Sequence, residues 1–151
     1  MKSKFGFILV KPQLGENIGA AARSMKNFGF SKLNLVSPKF IFPNQKTKAT
    51  SVGAFDLINS AKVFDNTEEA ISEFDIVISF SARKRNINKK YITFTDLNDI
   101  LKKRKNCSFG FMFGPENSGL SNKDISLSNF ILQIPTSQKF KSFTFCHNYL
   151  L

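Results

Sequence analysis

Two short stretches of this chain carry residue types suited to chemistry. The first, Asn17-Ile18-Gly19-Ala20-Ala21-Ala22-Arg23, sets an amide and a guanidinium on an otherwise small, apolar helix start just after a strand-like run. Six residues at 100° each make about 600°, so Asn17 and Arg23 point to roughly opposite sides of an ideal helix and do not form a single helix-face site. A helix cap suits Asn17, and an inward or ligand-facing cation suits Arg23. The competing reading is a capped core helix with a surface arginine. The second stretch is Gly114-Pro115-Glu116-Asn117-Ser118-Gly119-Leu120, a turn-rich loop after a strand that opens a helix at Ser121-Asn122-Lys123-Asp124. Gly114 to Gly119 has P-loop spacing, but Leu120 stands where a nucleotide-binding lysine belongs, and Glu116 would repel a phosphate. Glu116 could instead accept from a ribose hydroxyl, an amine or the loop's own amides. Gly15 and Gly19 give no G-x-G-x-x-G, so the dinucleotide fingerprint fails as well.

The elements that must position these residues follow from the pattern of apolar runs. Phe5 to Val10, Leu33 to Val36, Asp75 to Phe80, Phe109 to Phe113 and Phe130 to Ile134 read as strands. Their near-continuous apolarity predicts strands covered on both faces, hence an α/β fold with a mostly parallel sheet and helices on both sides. Ile18 to Phe28, Ala54 to Ala61, Thr67 to Phe74 and Phe94 to Lys103 read as helices, with Thr67 as an N-cap and cations at the end of the last one. Two long connections, Ser37 to Val52 and Ser81 to Thr93, read as loops; the second holds Arg83, Lys84, Arg85, Lys89 and Lys90.

Composition narrows the partners. The chain has 151 residues, one domain's worth spanning 1–151. Twenty-two Lys and Arg against eleven Asp and Glu give a net charge of +11, which favours a polyanion such as nucleic acid. A genome of biased base composition would supply part of the same lysine-rich, phenylalanine-rich character. Cys107 and Cys146 form no CxxC, and His147 is the sole histidine, so neither a disulfide framework nor a metal site is expected. Without a signal-like start or 18 successive apolar residues, the expected compartment is the cytoplasm and no membrane is expected.

With both stretches in hand, the chain resembles the SPOUT class of S-adenosylmethionine-dependent RNA methyltransferases, in its SpoU/TrmH-type 2′-O-ribose branch. Asn17 to Arg23 is similar to that branch's first motif, Phe113 to Leu120 to its second, and Ile134-Pro135-Thr136 with Ser142-Phe143-Thr144 to its third. Lys11-Pro12-Gln13, Val52-Gly53-Ala54-Phe55-Asp56 and Ser81-Ala82-Arg83-Lys84-Arg85 further resemble the TrmJ-like subgroup, which methylates a cytidine or uridine in the tRNA anticodon loop. The resemblance implies a trefoil-knotted α/β domain working as a homodimer. It also implies S-adenosylmethionine held by Phe80, Ser81 and Ala82, by Gly114 and Glu116, and by Ile134, Ser142, Phe143 and Thr144. Arg23, Asn17 and Ser142 would be the catalytic set, and Arg23, Arg83, Lys84 and Arg85 the RNA contacts. No metal is implied.

One stretch departs from the family pattern. The third motif there usually reads Ser-Leu-Asn before a full helix, whereas here Ser142-Phe143-Thr144 is followed by seven residues. The expectation is a shortened end with weak cofactor binding and poor self-association. A catalytically inactive, RNA-binding remnant is the alternative.

Overall fold

Near-continuous apolar runs in this chain become strands shielded on both faces. The computed structural model describes residues 4–134. Along them run β1 (Phe5–Val10), α1 (Gly15–Asn27), β2 (Lys32–Val36), α2 (Gln45–Thr50), α3 (Phe55–Ser60), β3 (Lys62–Phe64), α4 (Thr67–Ile71), β4 (Ile76–Ser81), β5 (Lys90–Ile92), α5 (Phe94–Lys103), β6 (Phe109–Phe113), α6 (Asn122–Ser126) and β7 (Phe130–Gln133). The strands form one sheet in the order β3-β2-β1-β6-β4-β7-β5, and every pairing is parallel.

Alternation along each strand divides the core. Phe7 and Leu9 of β1 pack on one side of the sheet with Ile18, Ala22 and Met25 of α1 and Leu57 and Ile58 of α3. Ile8 and Val10 pack on the other with Ala70 of α4 and Ile125 of α6. The first side is rich in phenylalanine: Phe5, Phe7, Phe30, Phe109, Phe111, Phe113 and Phe80 form a chain of ring contacts. Full burial, approached at Phe7, Phe109 and Phe113, contributes about 1.5–3 kcal/mol per side chain. Half-buried Cys107 joins this side of the core.

The five apolar runs become β1, β2, β4, β6 and β7, within a residue of the expected bounds. Two short strands, β3 and β5, were not anticipated; they close the two edges of the sheet, and β5 lies within 81–93, expected to be a loop. The stretch 37–52 is also not all loop. Asn44 accepts from the Thr47 amide at 2.8 Å and caps α2. Packing of α2 on α1 requires a small residue at Gly19, where a Cβ would run into Thr50 and the Thr47 carbonyl.

Two cap expectations are corrected. Helix α1 begins at Gly15 after Leu14, so Asn17 lies inside the first turn and does not cap it. Helix α4 is capped by Asn66, whose side chain accepts from the Glu69 amide, while the Thr67 hydroxyl donates to Asp124 at 2.8 Å. Thr93 and Ser121 each open their helices with a complete capping box. Ser142, Phe143, Thr144, Cys146 and His147 lie outside the described residues, as does the path after Ile134 on which the knot depends.

Candidate active site

Strand order decides where a ligand can sit. From β1 the chain moves outward to β2 and β3, then crosses to β4 on the far side, and β6 later inserts between β1 and β4. Such a reversal leaves a crevice outside the carboxyl ends of the strands. A cleft of about 760 Å³, counted to its open mouth, occupies that place. The first turn of α1, the segment 80–85 and the loop 113–120 line it.

One wall is apolar. Phe80 and Phe113, at the ends of β4 and β6, stack with centroids 4.5 Å apart. Above them the loop after β6 folds back on itself: Gly119, at φ +71°, donates its amide to the Pro115 carbonyl at 2.9 Å. A Cβ on Gly114 would collide with the backbone of Gly119 and Leu120, so only glycine permits this closure.

Glu116 faces the start of α1. Its carboxylate accepts from the Gln13 amide at 2.9 Å, the Leu14 amide at 3.4 Å and the Asn17 side-chain amide at 2.9 Å. Leu14 supplies no side-chain cap of its own, so a carboxylate from the distant loop takes the anionic place that the amino end of a helix favours. A ribose hydroxyl, an amine and the loop's own amides were the partners open to Glu116; the donors it meets here are those at the start of α1. On the opposite side, Ser81 starts a tight turn, with its hydroxyl donating to the Arg83 carbonyl at 2.9 Å. Arg85 is half-buried and donates from Nη1 to Asn122 at 3.0 Å.

The cleft therefore brings together Asn17, Phe80, Ser81, Ala82, Arg83, Arg85, Gly114 and Glu116 of the expected set. Arg23 and Lys84 are exposed and do not line it. Ile134 is buried beside β4, with its amide donating to the Ser81 carbonyl at 3.1 Å, rather than lining the cleft. Sequence reasoning missed the backbone of Gln13 and Leu14, which has no side-chain signal, and Tyr91 and Asn122, which hold Arg85. An aromatic inside a basic loop was the available clue to Tyr91.

The SpoU rRNA Methylase family matches residues 4–144, a span that holds every segment of this cleft. The chain belongs to that family. A relative is the tRNA (cytidine-2'-O-)-methyltransferase TrmJ of Methanocaldococcus jannaschii, 35% identical over 143 residues covering 93% of this chain and 61% of that protein. Another is the tRNA (cytidine/uridine/adenosine-2'-O-)-methyltransferase TrmJ of Pseudomonas aeruginosa, 35% identical over 94% of this chain and 56% of that protein. Among solved structures, TrmJ from Z. mobilis ZM4 superimposes with a TM-score of 0.83 at 36% identity, covering 92% of this chain and 62% of that one. This SpoU chain thus spans about three fifths of the length of these relatives. Among the described residues, no helix is long and apolar enough to cross a membrane, and no three His, Cys, Asp or Glu side chains cluster as metal ligands would.

Proposed function

We propose that this chain transfers a methyl group from S-adenosylmethionine to the ribose 2′-hydroxyl of an RNA, at a cytidine or uridine of a tRNA anticodon loop. The supporting observation is the cleft itself: in a SpoU family chain, an aromatic wall, a loop closed on Gly114 and a fixed carboxylate converge at the carboxyl ends of β1, β4 and β6. These residues fit the cofactor. Phe80 and Phe113 offer apolar surface to an adenine or the methionine chain, and the Gly114 turn exposes backbone where close approach matters. Ser81 and Ala82 complete one loop, and Ser142, Phe143 and Thr144 would supply another, whose start buried Ile134 ties to β4 through the Ser81 carbonyl.

When bound, the cofactor supplies an electrophilic methyl carbon on a sulfonium. The chain's own residues orient and stabilise. Glu116 fixes α1 through Gln13, Leu14 and Asn17, and so sets the entrance of the cleft. Arg23 stands about 9 Å along α1 from Asn17 and carries a guanidinium, which offers hydrogen-bond donors and no acceptor, so it does not act as the base. It holds the phosphate beside the target ribose and stabilises charge developing on the 2′-oxygen, while phosphate or water takes the proton. Arg83 and Lys84 track the RNA backbone, and Ser142 orients the ribose. The working form is a cytoplasmic homodimer, a state to which exposed Leu14 and Phe28, at the two ends of α1, are suited.

The test incubates the chain with a methyl-labelled donor and unmodified tRNA, then digests to nucleosides for mass spectrometry. Formation of 2′-O-methylcytidine or 2′-O-methyluridine is expected, and Arg23→Ala is expected to abolish it while cofactor affinity in calorimetry is kept. RNA binding without methyl transfer by the unaltered chain would overturn the reading.

A further inference from the structure

Arg85 differs from its neighbours in the basic loop. Arg83 and Lys84 are exposed, whereas Arg85 is half-buried, lines the cleft and is held from several directions. The Tyr91 hydroxyl, from the edge strand β5, accepts from the Arg85 amide at 2.7 Å and donates to the Arg85 carbonyl at 3.1 Å, fixing the backbone from both sides. Asn122, at the start of α6, takes one proton of Nη1 at 3.0 Å. That leaves the opposite edge of the guanidinium. Its Nε is shielded from solvent and has no partner among the described residues. Its Nη2 faces Gly119, where an added Cβ would sit 3.9 Å away.

A guanidinium edge with two parallel N–H groups matches the two oxygens of a carboxylate or phosphate. Among the described residues the other cleft-lining charges are Arg83 and Glu116, and Glu116 is already engaged by the start of α1. We infer that Arg85 is a fixed oxyanion-binding residue of the cleft, with Tyr91 and Asn122 as its positioning residues, and not one more backbone-tracking cation. The oxyanion is either the carboxylate of the methionine part of the cofactor or an RNA phosphate; these assignments rest on the proposed function, the guanidinium geometry does not.

The test follows the Arg85 Nε–H resonance by nitrogen-edited NMR in the full chain during titration with three probes. These are S-adenosylhomocysteine, 5′-methylthioadenosine, which lacks the carboxylate, and a short RNA. A shift with the first but not the second assigns the carboxylate; a shift with RNA alone assigns the phosphate. Either supports the inference, and inorganic phosphate is expected to move the same resonance at higher concentration. Tyr91→Phe, with an unchanged melting temperature, is expected to weaken binding of the effective probe about tenfold, and Arg85→Lys is expected not to rescue it. If Tyr91→Phe proves unstable, Asn122→Ala is expected to give the same direction of change. A resonance indifferent to every probe, or full affinity in Tyr91→Phe and Arg85→Lys, overturns the inference. A chain that shows the phosphate shift without methyl transfer would sink the proposed function while leaving this one standing.

Discussion

The Asn17 side-chain amide donates to the Glu116 carboxylate at 2.9 Å across 99 residues of sequence. The same carboxylate takes the Gln13 and Leu14 amides, so one acid joins the loop after β6 to the entrance of α1. Glu116→Ala leaves those donors without their partner, at a cost of about 1–3 kcal/mol. Hydrogen exchange should show the Gln13 and Leu14 amides losing protection while the amides of β1 keep theirs. Equal protection in both proteins would mean that the tie holds nothing.

Two glycines of one loop should respond differently. Gly114→Ala forces a Cβ into the backbone of Gly119 and Leu120, so the turn must open and cofactor affinity should fall at least tenfold. Gly119→Ala meets no close atom and carries only the strain of φ +71°, about 1–2 kcal/mol. Calorimetry and thermal denaturation of both variants check the contrast, and a Gly114→Ala chain that binds normally would refute the crowded-turn account.

Charge at the two ends of the sheet should not count equally. Arg83 and Lys84 stand beside the cleft, whereas Lys102, Lys103 and Arg104 end α5 near Lys105, whose carbonyl accepts from Lys4 at 2.9 Å, before β1 begins. Neutralising Arg83 and Lys84 should flatten the salt dependence of RNA binding by about 0.7–0.9 in log–log slope per lost contact. Neutralising the α5 cations should leave the slope alone. Filter binding over a range of salt concentrations separates the cases, and equal slopes for the two variants would show that the whole basic surface acts without distinction.

Glu73 should make stability depend on pH. Burial alone would raise its carboxyl, but hydrogen bonds from Asn34, Lys32 and Lys62 outweigh that and hold it below the ordinary value of 4.5. A depressed folded-state value contributes stability that is full above the unfolded-state value and is lost as pH falls through the folded-state one. Glu73→Ala should therefore cost about 1–3 kcal/mol at pH 7, and the gap from the unaltered chain should shrink as pH falls below 4.5. Urea titrations at several pH values measure it. A gap independent of pH would show that the loss is one of packing.

The parallel sheet was legible in the sequence because runs such as Phe5–Val10 and Phe109–Phe113 are apolar at nearly every position, which only burial on both faces rewards. The opening of α6 at Ser121 was legible too, and the structure adds the capping box that Ser121 forms with Asp124 three residues on. The order of Asn17–Arg23 and Phe113–Leu120 likewise announced the family before any fold was known. Edge strands β3 and β5 escaped because three residues with a lysine carry no period, and their pairing is supplied by β2 and β7. Helix α2 escaped because its apolar signal is slight and Gly19 of α1 gives it a seat. The site was divided in the same way. Sequence named Asn17, Glu116 and Arg85 by type, but whether an amide caps its own helix or grips a carboxylate 99 positions away is set by what the sheet order brings within hydrogen-bonding distance. Local patterns record a residue's neighbours in the chain; the roles of Asn17, Tyr91 and Asn122 come from neighbours in space.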